Sequence, residues 1–452
     1  MLFLNDLPIP WSHRPYFDLS PYQSGAWHIQ GIDYSYRNLV SEVQNVGTSL
    51  SVNPVTLVHP ASFREQLIRE TGLFQYSIKN PLALPDELRT ERWRVLCSHL
   101  VHYRELSPTT QLETINLLSS LCFHEAILKY VTASTDEDIT RDSTIAKLAY
   151  SRAMSKILCQ ESIGTSENLE DLKQLVQHAS KESFVVFGAA VELIVLHATV
   201  FRDLAAVAHW REVASGALDH LEPSLDHFEF KRLTSFYHRA AVFAPLLLGE
   251  RQTVVREMDI CQSLAEELIR ECKNETERIS AHDNLTTVFE SRTKEALWLG
   301  DIDLAGERAK KMVELEPLYS HYRLQLGEVL LKQNKFEEAA KIYRSATRLG
   351  PPGMAIAWFM AGQCHERLGE IDIACDCYLA SVQMDELAIS AVEKINKLAP
   401  RLGNSMLTDW STARLEQLRE QQRGIVSKTK TSYIPEAASA LKLAGERELS
   451  QI

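Results

Sequence analysis

Residues that interrupt helices are scarce in this sequence. Its 452 positions hold 18 glycines and 16 prolines, and both are scattered. Long segments are therefore free to coil, and no glycine cluster lets a backbone approach a phosphate closely. The Gly-x-Gly-x-x-Gly fingerprint, the phosphate loop ending in Gly-Lys-Ser/Thr and the Gly-x-Ser-x-Gly elbow are all missing. Positive charge is short as well, with 48 Lys and Arg against 60 Asp and Glu, a formal net charge of -12. Neutralising nucleic-acid phosphates or an anionic bilayer needs a basic face, and no basic stripe is visible. The composition thus speaks against nucleic acid and membrane as partners.

Metal-ligand spacing is missing too. His124-Glu125 and His365-Glu366 lack the second histidine that a His-Glu-x-x-His site needs. His99 and His102 share a helical face without a third ligand beside them. Cys375 and Cys377 are two apart, so their side chains diverge by about 200° on a helix and read, with Cys364, as small core residues. The eight cysteines show no paired framework, and the start, MLFLNDLPIPW, has no basic n-region. Reduced thiols in a cytoplasmic protein are expected, with no metal, no cofactor and no catalytic residue assigned. An uninterrupted hydrophobic run of membrane length is also wanting. The nearest, 184–201, carries Glu192 and His197 inside it. A central carboxylate costs roughly 2.5–3.5 kcal/mol on insertion, so a buried core helix is expected there.

Apolar residues make up 45% of the chain and charged ones 24%, proportions of a folded protein. Residues 1–31 form an irregular aromatic and proline-rich arm, with Trp11, Tyr16, Phe17, Tyr22 and Trp27, expected to lie against the helical body. A helical region follows over 32–166. It has helices at 32–46, 61–70 and 86–103, one long helix from Ser107-Pro108 to about Val131, a polar turn or loop over 132–143, and a helix ending at Cys159. Residues 167–289 are the most apolar, with helices at 167–180, 183–200, 202–221, 227–248 and 251–272. Pro245 should kink the fourth of these, since it removes a backbone donor and clashes one turn back.

The chain then repeats itself. Ala305 and Ala339 lie 34 residues apart, as do Pro317 and Pro351, and Ala374 follows one residue late. This is the period of a helix–turn–helix array. Over 290–386 the Leu-Gly pairs Leu299-Gly300 and Leu368-Gly369 stand before the turns. Leu326-Gly327, Ala361-Gly362 and Trp358 mark the first helices, and Tyr343 and Tyr378 follow the alanines of the second helices. As a set these positions resemble tetratricopeptide repeats. Three departures stand out: Ala309 replaces an aromatic, Asn334 replaces the turn glycine, and Glu386 replaces the closing proline. The resemblance implies an all-α fold, a right-handed α-solenoid of helical hairpins with a concave groove for a peptide or partner protein. Helices capping the stack are expected over 387–424, and a polar, partly disordered tail over 425–452.

The family's clamp for a C-terminal carboxylate is not reproduced. Its places hold Glu290, Lys294, Gln325, Ile356 and Met360, of which Lys294 alone is suitable. The residues expected to face the groove are Lys294, Leu297, His321, Leu324, Glu328, Leu331, Phe359, Gln363 and Glu366. That mixture suits an amphipathic peptide or helix. The alternative is that some of them pack against the preceding helix. Glu192 is the one carboxylate set in the most apolar helix. Arg202, His209, His238 and Arg239 are candidate partners for a buried crosslink, and a catalytic acid is the competing reading. The functional expectation is an interaction scaffold or adaptor, with an enzyme around Glu192 or a peptide-sensing regulator as alternatives.

Overall fold

The computed structural model describes residues 81–425, except 84–85, 87–90, 121–122, 160–165, 180, 316–319, 348–352 and 386. The arm, the helices expected at 32–46 and 61–70 and the tail beyond 425 lie outside the described residues. Every regular element described is helical. The protein is an all-α solenoid of hairpins, as the repeat spacing implies. It divides into two compact units between Glu295 and Ala296.

The described part of the first unit begins with α1 (Glu91–Val101), α2 (Pro108–Ser120), α3 (His124–Tyr130), α4 (Asp136–Arg141) and α5 (Ser143–Cys159). It continues through α6 (Ser166–His178), α7 (Ser183–Leu196), α8 (Leu204–Leu221), α9 (His227–Ala241), α10 (Phe243–Leu248), α11 (Arg251–Glu271) and α12 (Glu275–Leu299), inside which the division falls. α6 packs on α7, α7 on α8 and α9 on α11. One apolar cluster, centred on Leu172, Phe187, Leu193, Ile194, Val207 and Ala214, unites α4 to α10.

Two expectations are corrected here. The single helix from 107 to 131 is two helices, because Phe123 turns inward to full burial and its amide bonds back five residues to the Leu118 carbonyl. The 132–143 stretch, expected as a turn or loop, contains α4. Thr135 is its N-cap: its hydroxyl accepts from the Asp138 amide at 3.2 Å. Acidic residues fill the first turn and Ile139 is buried, which favours the helix N-terminus electrostatically and anchors it. Thr135→Ala should lower stability by about 1 kcal/mol in urea titration. The expected kink is present: α9 stops at Ala241, four residues before Pro245, and α10 begins anew at Phe243.

The segment Ser183–Phe201 has the length and mean hydropathy, 2.2, to cross a membrane. Its inner residues, Val185, Phe187, Ala189, Val191 and Leu193 among them, are part of the core cluster. Its end departs from expectation. α7 stops at Leu196 and runs into a π-helical turn, His197–Phe201, closed by Arg202 in the left-handed region at φ 53°.

The second unit holds the end of α12 and then α13 (Ile302–Leu315), α14 (Ser320–Lys332), α15 (Phe336–Ala346), α16 (Met354–Leu368), α17 (Ile371–Met384), α18 (Ile389–Leu398) and α19 (Ser405–Ile425). From α13 onward each helix packs on the next. The three intra-repeat turns close alike. The amide of the left-handed residue (Gly300, Asn334, Gly369) bonds back three residues, and the following amide bonds back five, as a Schellman cap requires. Asn334 substitutes for glycine because a short amide side chain tolerates positive φ, here 58°. Gly369→Ala, at φ 81°, should cost about 1–2 kcal/mol in thermal or urea unfolding. α18 and α19 close the array over an apolar cluster of Val392, Ile395, Leu398, Leu407, Leu415 and Leu418.

Candidate functional site

Two groups of polar residues stand out, one in each unit. In the first unit, Glu192 on α7 is largely withdrawn from solvent, within electrostatic reach of Tyr150 of α5 and Arg239 of α9. Burial pushes its carboxyl pKa up to about 7, an effect the Arg239 charge partly offsets. The Tyr150 ring reaches it by lying over Gly188, where an added Cβ would sit 2.8 Å from the phenol oxygen. Burial and the Glu192 charge both push the Tyr150 hydroxyl well above the usual range. Of the four partners considered from sequence, Arg239 is the one whose charge acts on Glu192, at longer range than an ion pair, while its guanidinium lies over the Phe236 ring at 4.9 Å. His238 instead bonds Glu257 at 2.7 Å. His209 stacks edge-on against Trp210, and Arg202 closes the π-turn.

Glu257, 5% exposed, is the nearest thing to an ionic hub: it takes His238 and Arg211, each at 2.7 Å. The hydrogen bond from His238, and then the Arg211 charge, hold its carboxyl below the usual range. Beside it, Asn284 of α12 donates to Ser235 at 3.0 Å, and Ser235 donates to the Cys261 carbonyl at 3.2 Å. These contacts stitch α9, α11 and α12 together across faces too polar to pack by area alone. No group of three or more metal-ligating side chains occurs among the described residues.

In the second unit, the first helices of the hairpins, α14 and α16, touch each other. Their side chains form one face. His321, Glu328 and Leu331 of α14 and Phe359, Gln363 and Glu366 of α16 are partly exposed. Leu324 is not, at 8% exposure, and packs within the unit. Leu297, on the last turn of α12, is partly exposed. Lys294 falls in the other unit, where it bonds Glu290 one turn back at 2.8 Å.

The polar residues of this face differ in how they are satisfied. Glu366 accepts from the Tyr378 hydroxyl and from the Lys394 ammonium of α18, each at 2.8 Å. Burial opposes its ionisation, but these two donors outweigh that and hold its pKa low. The Gln325 amide donates to the His321 ring at 2.9 Å. Phe359 rests on the Tyr378 ring, centroids 5.4 Å apart. Glu328 has no hydrogen bond or ion pair among the described residues. Burial raises its pKa to about 7, and Lys332 one turn on offsets this only in part.

The tyrosines of α15 and α17 follow from the small residues opposite them. An added Cβ at Gly327 would land on Cζ and Cε1 of Tyr343, and one at Gly362 would lie 2.7 Å from Cε1 of Tyr378. Sequence spacing marks these pairs as packing positions. It does not show that the Tyr378 hydroxyl reaches Glu366 on the first-helix face, nor that Lys394 crosses to the same carboxylate, and no sequence signal points to either.

Residues 299–386 match the tetratricopeptide repeat family model, and the rest of the chain has no family assignment. The comparison with curated proteins finds no match. Among solved structures, yeast Tom70 is 12% identical over 95% of this chain and 88% of its own, with a TM-score of 0.47. The human IFIT1 dimer with m7Gppp-AAAA is 12% identical over 93% and 94%, with a TM-score of 0.45. MamA is 17% identical over 39% of this chain and 96% of its own, with a TM-score of 0.29.

Proposed function

We propose that the chain, through its tetratricopeptide repeats, is an interaction scaffold or adaptor that holds a peptide or helix of another protein. The binding face is the first-helix face of α14 and α16. The observation that carries this is the division of labour within the repeats. The second helices bury their small and aromatic residues fully, Ala339, Tyr343, Ala374 and Tyr378 among them. The first helices leave Leu331, Phe359, His321, Gln363 and Glu328 partly exposed. Apolar anchors interleaved with hydrogen-bonding groups suit the apolar face of a partner helix with polar contacts at its margin. The enzyme reading has less support: Glu192 sits in the most apolar helix with no hydrogen bond or ion pair among the described residues.

The test is affinity capture with wild type and with a face-blocking variant, His321→Arg with Leu331→Arg. Leu324 and Phe359 are left intact because both are used in packing. Loss of the wild-type partners, with an unchanged circular-dichroism spectrum, is expected. If both folded proteins capture the same partners, the face is not the binding surface.

A further inference from the structure

The two complete hairpins of the second unit solve one problem differently. Each has a tyrosine, Tyr343 or Tyr378, whose ring crosses a glycine of the first helix. In the later hairpin the hydroxyl meets Glu366, and Lys394 completes a tyrosine–carboxylate–ammonium group. One repeat earlier, the positions of Glu366 and Lys394 are Leu331 and Phe359. The Tyr343 hydroxyl has therefore lost its acceptor. Tyr343 is 1% exposed, and its hydroxyl has no hydrogen-bond partner among the described residues.

A carboxylate lies within electrostatic reach of it nonetheless, without a hydrogen bond between the two. Glu328 follows Gly327, the residue on which the hydroxyl-bearing carbon of Tyr343 rests. Its charge acts on the Tyr343 hydroxyl. The donor and the carboxylate of the later group are both present here, one turn nearer the start of the helix, and the cation is missing. Lys332 does not supply it: it is exposed and makes no ion pair with Glu328. A half-buried carboxyl without an ion pair is costly to ionise, so a cation brought to it would be held well. The apolar pair Leu331 and Phe359, partly exposed beside it, would cover the stem of a long basic side chain.

We propose that Glu328 is the receptor for a lysine or arginine side chain of the bound partner segment, and that its ionised carboxylate then draws the Tyr343 hydrogen bond that this structure lacks. This assignment rests on the first-helix face being the binding face. It reverses the polarity of a carboxylate clamp: the protein supplies the acid and the partner the base. The net charge of -12 favours a basic partner at longer range.

A random-peptide display library selected on the full chain gives the probes. Their affinities are measured by fluorescence anisotropy against wild type, Glu328→Gln, Tyr343→Phe and the face-blocking His321→Arg, Leu331→Arg variant. The expected binders share a Lys or Arg at a fixed distance from apolar anchors. Replacing that residue with norleucine, or Glu328 with Gln, should each weaken binding by about tenfold or more. Making both changes should cost little beyond either alone, because both remove one interaction. Tyr343→Phe should weaken the basic peptides and leave their norleucine forms unchanged. Glu328→Gln changes no volume, and its circular-dichroism spectrum and unfolding midpoint check the fold. Binders that need the face but carry no fixed cation, or that bind Glu328→Gln equally, overturn this assignment and leave the binding face standing. A library in which no binder is lost on the face-blocking variant overturns the binding face, and this assignment with it.

Discussion

Gly327→Val should unfold the second unit at a markedly lower urea concentration than wild type, with a loss of roughly 3 kcal/mol or more, and Gly327→Ala should show a smaller loss of the same kind. The reason is steric. The first atom added at this position falls on Cζ and Cε1 of Tyr343. That ring is 1% exposed, packed on every side, and has nowhere to move. Gly306 is the internal control. A Cβ there meets the amide nitrogen of Gln333 at 3.0 Å, the far end of a flexible side chain. Gly306→Ala should thus be neutral, or gain up to about 1 kcal/mol from helix propensity. Adding Tyr343→Leu to Gly327→Ala should recover part of the loss by withdrawing the ring. A Gly327→Ala protein as stable as wild type would mean that Tyr343 does not lie across α14, and the account of the neighbouring Glu328 would fall with it.

Glu192→Gln should make the protein more stable at pH 8 and leave it unchanged at pH 4. The folded-state pKa of Glu192 is raised from 4.5 to about 7. Between those two values the folded chain keeps a proton that the unfolded chain has lost. Stability therefore falls as pH rises from about 4.5 through about 7, then levels off. The shift corresponds to roughly 3 kcal/mol across that window. Glutamine presents the shape of the neutral acid and carries no titration, so the gap between variant and wild type should open over the same window. Thermal or urea midpoints at several pH values measure it. Equal destabilisation by Glu192→Gln at both ends of the range would show instead that the neutral carboxyl is used as a structural hydrogen-bonding group.

Different parts of these two predictions are legible in the sequence. That Gly327 and Tyr343 are coupled follows from the repeat spacing, since the array sets small residues opposite large ones across a hairpin. The status of Glu192 as a buried carboxyl follows from its apolar neighbours, Val191 and Leu193. The identity of its companions does not. Arg239 and Tyr150 come from two other helices at long separation, whereas the glycine that makes room for Tyr150 lies one turn before Glu192 on its own helix, and His238, one residue from Arg239, is spent on Glu257. Local errors have local causes. α4 resembles a loop in sequence because charged residues hide a capped helix with a single buried anchor, Ile139. The helix expected to run through 123 breaks because Phe123 is drawn into the core, and a side chain's destination is a tertiary fact.

The scarcity of glycine and proline, with the 34-residue period, is enough to determine an all-α array of hairpins and the place of its turns. Helix formation, capping and the fit of alanine or glycine against tyrosine depend on neighbours one or two turns away, which a linear pattern records. Charge satisfaction depends on which of many possible partners arrives. Only the tertiary structure decides that Glu366 is answered by Lys394 while Glu328, on the first helix of the preceding repeat, is left half-buried without an ion pair among the described residues. Both glutamates sit on first helices among similar neighbours, and the difference lies in an exchange of Leu331 and Phe359 for a charged pair. That exchange changes nothing in the helical pattern.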